Sequence, residues 1–145
     1  MDSTRYDITD RTRLRQVAGE FMVQVKPGDL IGLEGELGAG KTTFVKDVAA
    51  CLGVVADVIS PTFVYEQVYE LPAPVRGIHR LRHSDLYRLE SDDDVTALGL
   101  TFDDPEAVYF VEWMEHAPVL RRRATHLLRF AVNYGGERMM EVIRV

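Results

Sequence analysis

A glycine-rich segment between an apolar run and a helical pattern constrains the fold of this chain more than any other feature. Residues 30–34 form a short apolar run that is suited to a buried strand. Glycines follow at positions 35, 38 and 40, and apolar residues then recur at helical spacing over 45–52. The segment therefore predicts a strand, a glycine loop and a helix in direct succession.

Residues 35–42 read Gly-Glu-Leu-Gly-Ala-Gly-Lys-Thr and match the pattern G-x-x-x-x-G-K-[ST] of a phosphate-binding P-loop. In such a loop, backbone N–H groups and the positive end of the following helix surround the phosphates. Lys41 is predicted to reach the outer phosphates and to take part in catalysis, and the Thr42 hydroxyl to bind Mg²⁺. A glycine loop with a solvated lysine is the alternative, which the flanking strand and helix disfavour. The predicted nucleotide-binding residues of the loop are Gly35, Leu37, Gly38, Ala39, Gly40, Lys41, Thr42 and Thr43.

An acidic residue ends the second continuous apolar run of the chain. Residues 108–111 are apolar, and Glu112 follows them directly. P-loop nucleotide hydrolases need an acidic group beside the loop, where it holds Mg²⁺ or its water shell. Taken alone, Glu112 is better explained as the polar end of a strand. Beside a P-loop, we predict that it binds the metal and takes part in catalysis.

A turn within residues 83–89 contains two further candidates, Asp85 and Arg88. An aspartate there can orient the attacking water or hold the shell of the metal. Arg88 can neutralise phosphate charge or pair with a carboxylate. Residue types alone leave a functional and a purely structural role equally open for this turn.

The hydroxyl side chains of Ser60 and Thr62 flank Pro61 in a kinked segment after the P-loop helix. A switch loop in this place can sense the γ-phosphate, and a capping serine before a strand is an equally good explanation. Trp113 directly follows Glu112. It is either a core residue or part of a partner surface, and its position beside the predicted site favours the surface.

Length and charge limit the partners of this chain. Its 145 residues predict one domain over 1–145, and 46% hydrophobic residues are typical of a globular protein. The net charge is −6, from 17 Lys and Arg residues against 23 Asp and Glu residues. Because nucleic acid repels an acidic domain, we expect anions to bind at a local site and not along a broad basic face.

The sequence also predicts a compartment. No apolar run approaches the roughly 20 residues of a membrane-spanning helix, and the N-terminus lacks the layout of a secretory signal. Cys51 is the single cysteine, so no internal disulfide is expected, and the residue is predicted to be a small core residue. We therefore expect a cytoplasmic protein without membrane contact.

The remaining segments complete an α/β pattern. The further elements predicted are a helix over 14–25, a hairpin with strands over 58–70 and 78–83 and a tip at 71–74, a helix beginning at Ser91, and a hairpin over 125–134 and 139–145. Together they predict a P-loop NTPase fold, in which helices flank a central, mostly parallel sheet with β-hairpin additions.

Several short motifs occur in a defined order over residues 7–117. They are Gly28-Asp29, the P-loop continued to Thr43, Ser60-Pro61-Thr62-Phe63, residues 83–89 (His-Ser-Asp-Leu-Tyr-Arg-Leu), Gly99-Leu100 and Glu112-Trp113-Met114-Glu115. In this combination the chain resembles the TsaE family of small bacterial P-loop ATPases, which is needed for the threonylcarbamoyl modification of adenosine in tRNA. Ser84 and Met114 depart from the bulky apolar residue and the proline usual in that family, which affects local packing but removes no charged group.

The resemblance implies a compact α/β ATPase that binds ATP and Mg²⁺ and joins the TsaB and TsaD proteins. TsaD performs the transfer to tRNA, so this chain is implied to act on tRNA indirectly through the complex. By position, the resemblance implies Lys41 on the phosphates, Thr42 and Glu112 on Mg²⁺, Asp85 in catalysis or around the metal, Ser60 and Thr62 in a switch-like loop, Trp113 and Arg88 at the site edge or a partner surface, and Thr12 or its neighbours beside the nucleotide.

Two other functions use the same residues. A small-molecule kinase would need a substrate pocket and a closing lid, for which the chain has little spare length. A nucleotide-dependent interaction module without turnover is disfavoured by Asp85 and Glu112. An accessory ATPase of tRNA modification is therefore the leading hypothesis, with the small-molecule kinase as its alternative.

Overall fold

A computed structural model describes residues 2–61 and 64–145, and Thr62 and Phe63 lie outside the described residues. The described strands are β1 (Asp2–Asp7), β2 (Leu30–Glu34), β3 (Glu66–Val75), β4 (Ile78–Asp85), β5 (Ala107–Glu112), β6 (His126–Val132) and β7 (Arg138–Arg144). The described helices are α1 (Arg11–Val23), α2 (Lys41–Cys51), α3 (Asp92–Ala97) and α4 (Pro118–Arg121), with a 3-10 turn at Met114–His116. Within these ranges, no helix combines the length and apolar character needed to cross a membrane.

The strands form one sheet in the order β1-β7-β6-β2-β5-β4-β3. The four strands in its middle, β6, β2, β5 and β4, are parallel to one another. Antiparallel pairs extend the sheet at both edges. This order confirms the predicted central parallel sheet with β-hairpin additions. It also brings the carboxyl ends of β2, β4 and β5 to one edge, where α/β proteins bind their ligands.

Apolar side chains cover both faces of the sheet, as expected for buried parallel strands. On one face Phe110 of β5 packs with α1 and α2, and its ring lies 6.3 Å from that of Phe44. On the other face Val111 packs in a second cluster with residues of α3 and α4. Because side chains alternate along a strand, Glu112 shares the face of Phe110 and projects toward the side of the P-loop helix.

Both long helices begin at recognisable signals. The Asp10 carboxylate caps α1, since it accepts hydrogen bonds from the N–H groups of Thr12 at 2.7 Å and Arg13 at 3.3 Å. Helix α2 begins at Lys41, directly after Gly40 with a left-handed φ of 113°. Strand β2, the glycine loop and α2 thus follow one another as the sequence predicts.

The first hairpin differs from the prediction. Residues 71–74 are not a tip but belong to β3, and the chain turns at Arg76 and Gly77, whose φ values are 48° and 83°. The prolines at 72 and 74 lie where the pairing of β3 with β4 shifts register, between Glu70 and Val75. Strand β3 is an edge strand, and a proline without an N–H is tolerated there.

Two further features differ from the sequence analysis. Cys51 is exposed at the last position of α2, so the prediction that it is a core residue is wrong. Strand β1 was not predicted, because its sequence is polar and mostly exposed. It is held by full antiparallel pairing with β7 and by the bonds of Ser3 and Arg5 to Glu141.

Candidate functional site

The P-loop connects the carboxyl end of β2 with the first turn of α2. Its glycines at 35, 38 and 40 have φ values of 142°, 83° and 113°, a region that favours glycine. The first N–H groups of an α-helix have no acceptor within the helix. Phosphate oxygens can therefore take these bonds at the start of α2, where the helix dipole also favours negative charge.

Gly35 is required by close packing as well as by its φ. A Cβ atom at this position would lie 2.5 Å from the carbonyl oxygen of Phe130 on β6. At Gly38, a Cβ would meet no atom of the described residues within 4 Å. Substitution at Gly38 therefore introduces backbone strain alone, whereas substitution at Gly35 introduces backbone strain and a steric overlap.

We expect Gly35→Ala to lower the free energy of unfolding by about 3 kcal/mol, through backbone strain together with overlap against β6. The matched Gly38→Ala variant carries the strain alone and should lose about 1 kcal/mol. Urea denaturation of the two variants measures the difference. Equal losses would show that the contact with Phe130 does not constrain the loop.

Lys41 is buried at the first position of α2, with 6% of its surface exposed. Its Nζ donates a hydrogen bond of 2.6 Å to the carbonyl oxygen of Gly35. The same Nζ lies 3.8 Å from Oε1 of Glu112 and 5.0 Å from the centre of the Trp113 ring. The ammonium group is thus held at the mouth of the loop between a carbonyl, a carboxylate and an aromatic face.

Glu112 is the last residue of β5 and is 5% exposed. Parallel pairing places it beside Leu33 of β2 on one side and Asp85 of β4 on the other. Its Oε2 lies 2.9 Å from Nε2 of the buried His83, while Oε1 faces Lys41. The carboxylate is therefore oriented by a hydrogen bond and partly compensated by a nearby cation.

Asp85 ends β4 and is also 5% exposed. Its N–H donates to the carbonyl of Tyr65, and its Oδ1 accepts a 2.9 Å bond from the N–H of Tyr87. The structure thus brings the two predicted catalytic carboxylates, Asp85 and Glu112, to adjacent strand ends. Arg88, three residues further on, is exposed.

Trp113 has a left-handed backbone, with φ 59° and ψ 37°. Its half-buried ring packs 5.2 Å from the ring of Tyr87 and 5.5 Å from that of His116. A bulky residue with positive φ is held there by its surroundings. The indole contacts both Lys41 and the rings of Tyr87 and His116. Tyr87 is 55% exposed, so this aromatic cluster extends to the surface.

A cavity of about 350 Å³ opens beside the loop. Among the predicted residues, those that line it are Leu37, Gly38, Gly40, Lys41, Thr42, Thr43 and Glu112. Residues that the sequence analysis missed complete its lining, namely Ile8, Thr9, Arg11, Leu14 and Arg138. The cavity is continuous from the phosphate-binding loop to the junction of β1, α1 and β7, which suits an elongated anion such as a nucleotide.

Hydrogen bonds between chain segments build the end of the cavity at the junction of β1, α1 and β7. The N–H of Ile8 donates to the carbonyl of Arg138, and the N–H of Arg138 donates to Oγ1 of Thr9 at 2.9 Å. Arg11 is held by an ion pair with the buried Asp47 of α2. No sequence motif marks these residues. The polar, mostly exposed strand β1 that leads to them gave no signal.

Comparison with known proteins identifies the family. Residues 8–140 match the family described as "Threonylcarbamoyl adenosine biosynthesis protein TsaE". The chain belongs to the TsaE family. This match confirms the resemblance that the short motifs indicated and connects the chain with tRNA threonylcarbamoyladenosine biosynthesis.

Individual TsaE proteins cover different shares of the chain. The protein of Rickettsia prowazekii (strain Madrid E) is 30% identical over 111 residues, or 76% of this chain and 74% of that protein. The protein of Bacillus subtilis (strain 168) is 43% identical over 88 residues, or 61% of this chain and 52% of that protein. The chain thus spans about half the length of this Bacillus relative.

A solved structure shows the same fold. The crystal structure of Bacillus subtilis YdiB is 26% identical to this chain and aligns with a TM-score of 0.67. The alignment covers 99% of this chain and 86% of YdiB. The two chains therefore share the α/β fold over nearly all of this chain.

Several residues implied by the TsaE resemblance do not line the cavity. Thr12 is exposed on the first turn of α1, and it is its neighbours Thr9 and Arg11 that border the cavity. Ser60 is exposed in the segment that precedes β3. Both positions lie outside the cavity lining, and their suggested contacts with nucleotide stay predictions.

The donor set fits magnesium bound together with a nucleotide. The described ranges contain no group of three His, Cys, Asp or Glu side chains that could hold a metal by themselves. Mg²⁺ is usually bound by one or two protein oxygen ligands and by the phosphates of the substrate. The Thr42 hydroxyl and the Glu112 carboxylate supply such oxygens on the lining of one cavity.

Proposed function

We propose that this chain binds ATP and Mg²⁺ at the P-loop and hydrolyses the ATP. In doing so it acts on a complex of TsaB and TsaD that attaches the threonylcarbamoyl group to adenosine in tRNA. The observation that carries the proposal is the pair of buried charges, Lys41 and Glu112, on the lining of one cavity. Burial of two charges is weakly favourable for stability at best, so a ligand explains this pair better than folding does.

The loop and Lys41 bind the phosphates in this proposal. The Lys41 ammonium gives up its hydrogen bond to the carbonyl of Gly35, and its three N–H donors turn to phosphate oxygens. The free N–H groups at the first turn of α2 hold the same phosphates. These contacts position the substrate without a broad basic surface, which agrees with a net charge of −6.

Two groups hold the metal, and a third acts on water. Thr42 and Glu112, which both line the cavity, would supply oxygen ligands to Mg²⁺. When bound, Mg²⁺ would neutralise charge on the phosphates while the γ-phosphoryl group passes to water and ADP leaves. Asp85, which lies beside Glu112 in the sheet, orients the attacking water through its carboxylate.

The nucleoside lies toward the junction of β1, α1 and β7. Ile8 and Leu14 offer apolar surface there, while Thr9, Arg11 and Arg138 offer hydrogen bonds and positive charge. Such a mixture is typical of nucleotide pockets, in which apolar contacts hold the base and a few polar groups fix its orientation.

The acidic charge of the chain bears on how it serves tRNA modification. With 23 acidic against 17 basic residues, it is poorly suited to hold the phosphate backbone of RNA. TsaB and TsaD therefore hold most of the tRNA, and this chain acts on those proteins. The aromatic cluster of Tyr87, Trp113 and His116 contacts Lys41 through Trp113. A partner that binds this cluster can therefore respond to whether ATP or ADP is bound.

A nucleotide-dependent pull-down tests the proposed function. The tagged chain is incubated with purified TsaB and TsaD in the presence of a non-hydrolysable ATP analogue, ADP or no nucleotide. We expect capture of both proteins to depend on the nucleotide, and the Lys41→Ala variant to lose that dependence. Equal capture without nucleotide, or no capture under any condition, would contradict the action on TsaB and TsaD.

A further inference from the structure

His83 is a buried polar residue that has no role in the ATP hydrolysis proposed above. It lies on β4, is 0% exposed, and its Nε2 is 2.9 Å from Oε2 of Glu112. A buried imidazole in a sheet costs free energy unless its polar atoms are bonded. An apolar side chain of similar volume would fill the same space at a lower cost in free energy. Packing alone therefore does not account for a histidine here, and its contact with Glu112 does.

The position of His83 follows from the pairing of two parallel strands. The register of β4 with β5 places His83 beside Phe110, and Asp85 beside Glu112. Side chains alternate, so all four project from the sheet face that packs against α1 and α2. The imidazole therefore lies deeper in the protein than the carboxylate of Glu112 and contacts that carboxylate from the interior.

The hydrogen-bond partners define which nitrogen carries the proton. An ionised carboxylate only accepts hydrogen bonds, so Nε2 of His83 is the donor to Oε2. The other ring nitrogen, Nδ1, is buried and has no partner within residues 2–61 and 64–145. A proton on Nδ1 would leave a buried donor unbonded, which favours the tautomer with its proton on Nε2.

Because of this bond, the two oxygens of the Glu112 carboxylate have different partners. Oε2 is taken by His83, and Oε1 faces Lys41 at 3.8 Å and the phosphate loop. We infer that His83 is a positioning residue that fixes the Glu112 carboxylate so that Oε1 is presented to Mg²⁺. The inference rests on the proposed binding of ATP and Mg²⁺. Groups that hydrogen-bond a metal ligand commonly change metal affinity 10- to 100-fold when they are replaced.

Calorimetric titration with the non-hydrolysable ATP analogue AMP-PNP, in EDTA and in Mg²⁺, tests this role on the full chain. His83→Leu removes the donor, and we expect it to lower the affinity in Mg²⁺ by about 10-fold or more while leaving the affinity in EDTA unchanged. His83→Gln restores a side-chain N–H and should recover most of the affinity in Mg²⁺.

A second buried histidine provides the matched control. His126 is 3% exposed and lies at the start of β6, opposite Ile31 in β2 and therefore away from the carboxyl ends of the strands. Burial holds the pKa of His126 below its usual range, and its Nε2 has no partner among the described residues. His126→Leu thus removes a buried imidazole without touching Glu112, and both affinities should stay at the wild-type level.

Three titration results would overturn the role of His83. They are an unchanged affinity of His83→Leu in Mg²⁺, an equal loss in EDTA and in Mg²⁺, and the same loss in His126→Leu. If the wild-type chain binds AMP-PNP in neither condition, the proposed function itself is contradicted, and this inference with it.

A measurement on the wild-type chain keeps the inference testable if His83→Leu fails to fold. Long-range ¹H–¹⁵N spectra distinguish the two neutral tautomers of a histidine ring. Without metal or nucleotide, we expect His83 to carry its proton on Nε2, bonded to Glu112. A proton on Nδ1 would overturn the inference, because the ring could not then donate to the carboxylate.

Discussion

Replacement of Lys41 by alanine is expected to weaken ATP binding by about 10- to 100-fold. The change removes a cation that is 6% exposed at the mouth of the P-loop. Hydrogen bonds to charged groups contribute about 1.5–3 kcal/mol, which corresponds to this range of affinity. Calorimetric titration of the wild type and the variant with AMP-PNP and Mg²⁺ measures the loss.

Lys46→Ala is the matched control for this experiment. Lys46 lies on the same helix and carries the same charge, but it is exposed and outside the cavity lining. The control variant should keep wild-type affinity, because the effect of Lys41 comes from its position and not from net charge. Unchanged affinity in Lys41→Ala, or an equal loss in Lys46→Ala, would show that the phosphates do not bind at this loop.

The second large effect is expected for Glu112→Gln. The amide keeps the shape of the side chain but removes the negative charge that we propose holds Mg²⁺. We expect ATP hydrolysis to fall roughly 100-fold, because charge stabilisation at a reacting phosphate is typically of this size. AMP-PNP should still bind in EDTA, since the loop and Lys41 are intact. Phosphate release and calorimetry together separate the two effects.

Glu20→Gln tests whether the loss of any carboxylate has the same result. Glu20 is exposed on α1 and does not line the cavity. The control should hydrolyse ATP at the wild-type rate under each condition tested. Wild-type turnover by Glu112→Gln would contradict the role of this carboxylate at the metal, whatever the effect on binding.

The P-loop end of the cavity was predictable because it depends on local sequence. The glycine pattern fixes a loop, the apolar run before it fixes a buried strand, and together they fix where Lys41 must lie. Glu112 followed from a second apolar run that ends in an acid. Parallel strands share one carboxyl edge, so the two groups meet once the strands pair as they do here.

The end of the cavity at the junction of β1, α1 and β7 was not predictable because it is built from distant segments. Ile8 and Arg138 are 130 positions apart in sequence and are joined by a backbone hydrogen bond. Strand β1 is polar and mostly exposed, so hydrophobic periodicity gives no sign of it. Its place in the sheet comes from pairing with β7, a long-range contact that sequence patterns do not encode.

The contact between His83 and Glu112 was only partly predictable, because both residues lie in recognisable motifs but their pairing was not indicated. A histidine two residues before Asp85 gave no signal of metal binding, because metal-ligand spacing was absent from the histidines of the chain. The contact requires the parallel register of β4 and β5, which local patterns do not determine. Likewise, the first hairpin was predicted with its turn too early, since prolines usually mark loops but are also tolerated in an edge strand.

Release of inorganic phosphate from ATP and Mg²⁺ tests the central claim most directly. The chain is assayed alone and with TsaB and TsaD, beside the Lys41→Ala and Glu112→Gln variants. We predict slow release by the chain alone, faster release with the two proteins, and little release by either variant. No release under any condition, or transfer of the γ-phosphate to a small molecule in place of water, would contradict an ATPase of the TsaE family.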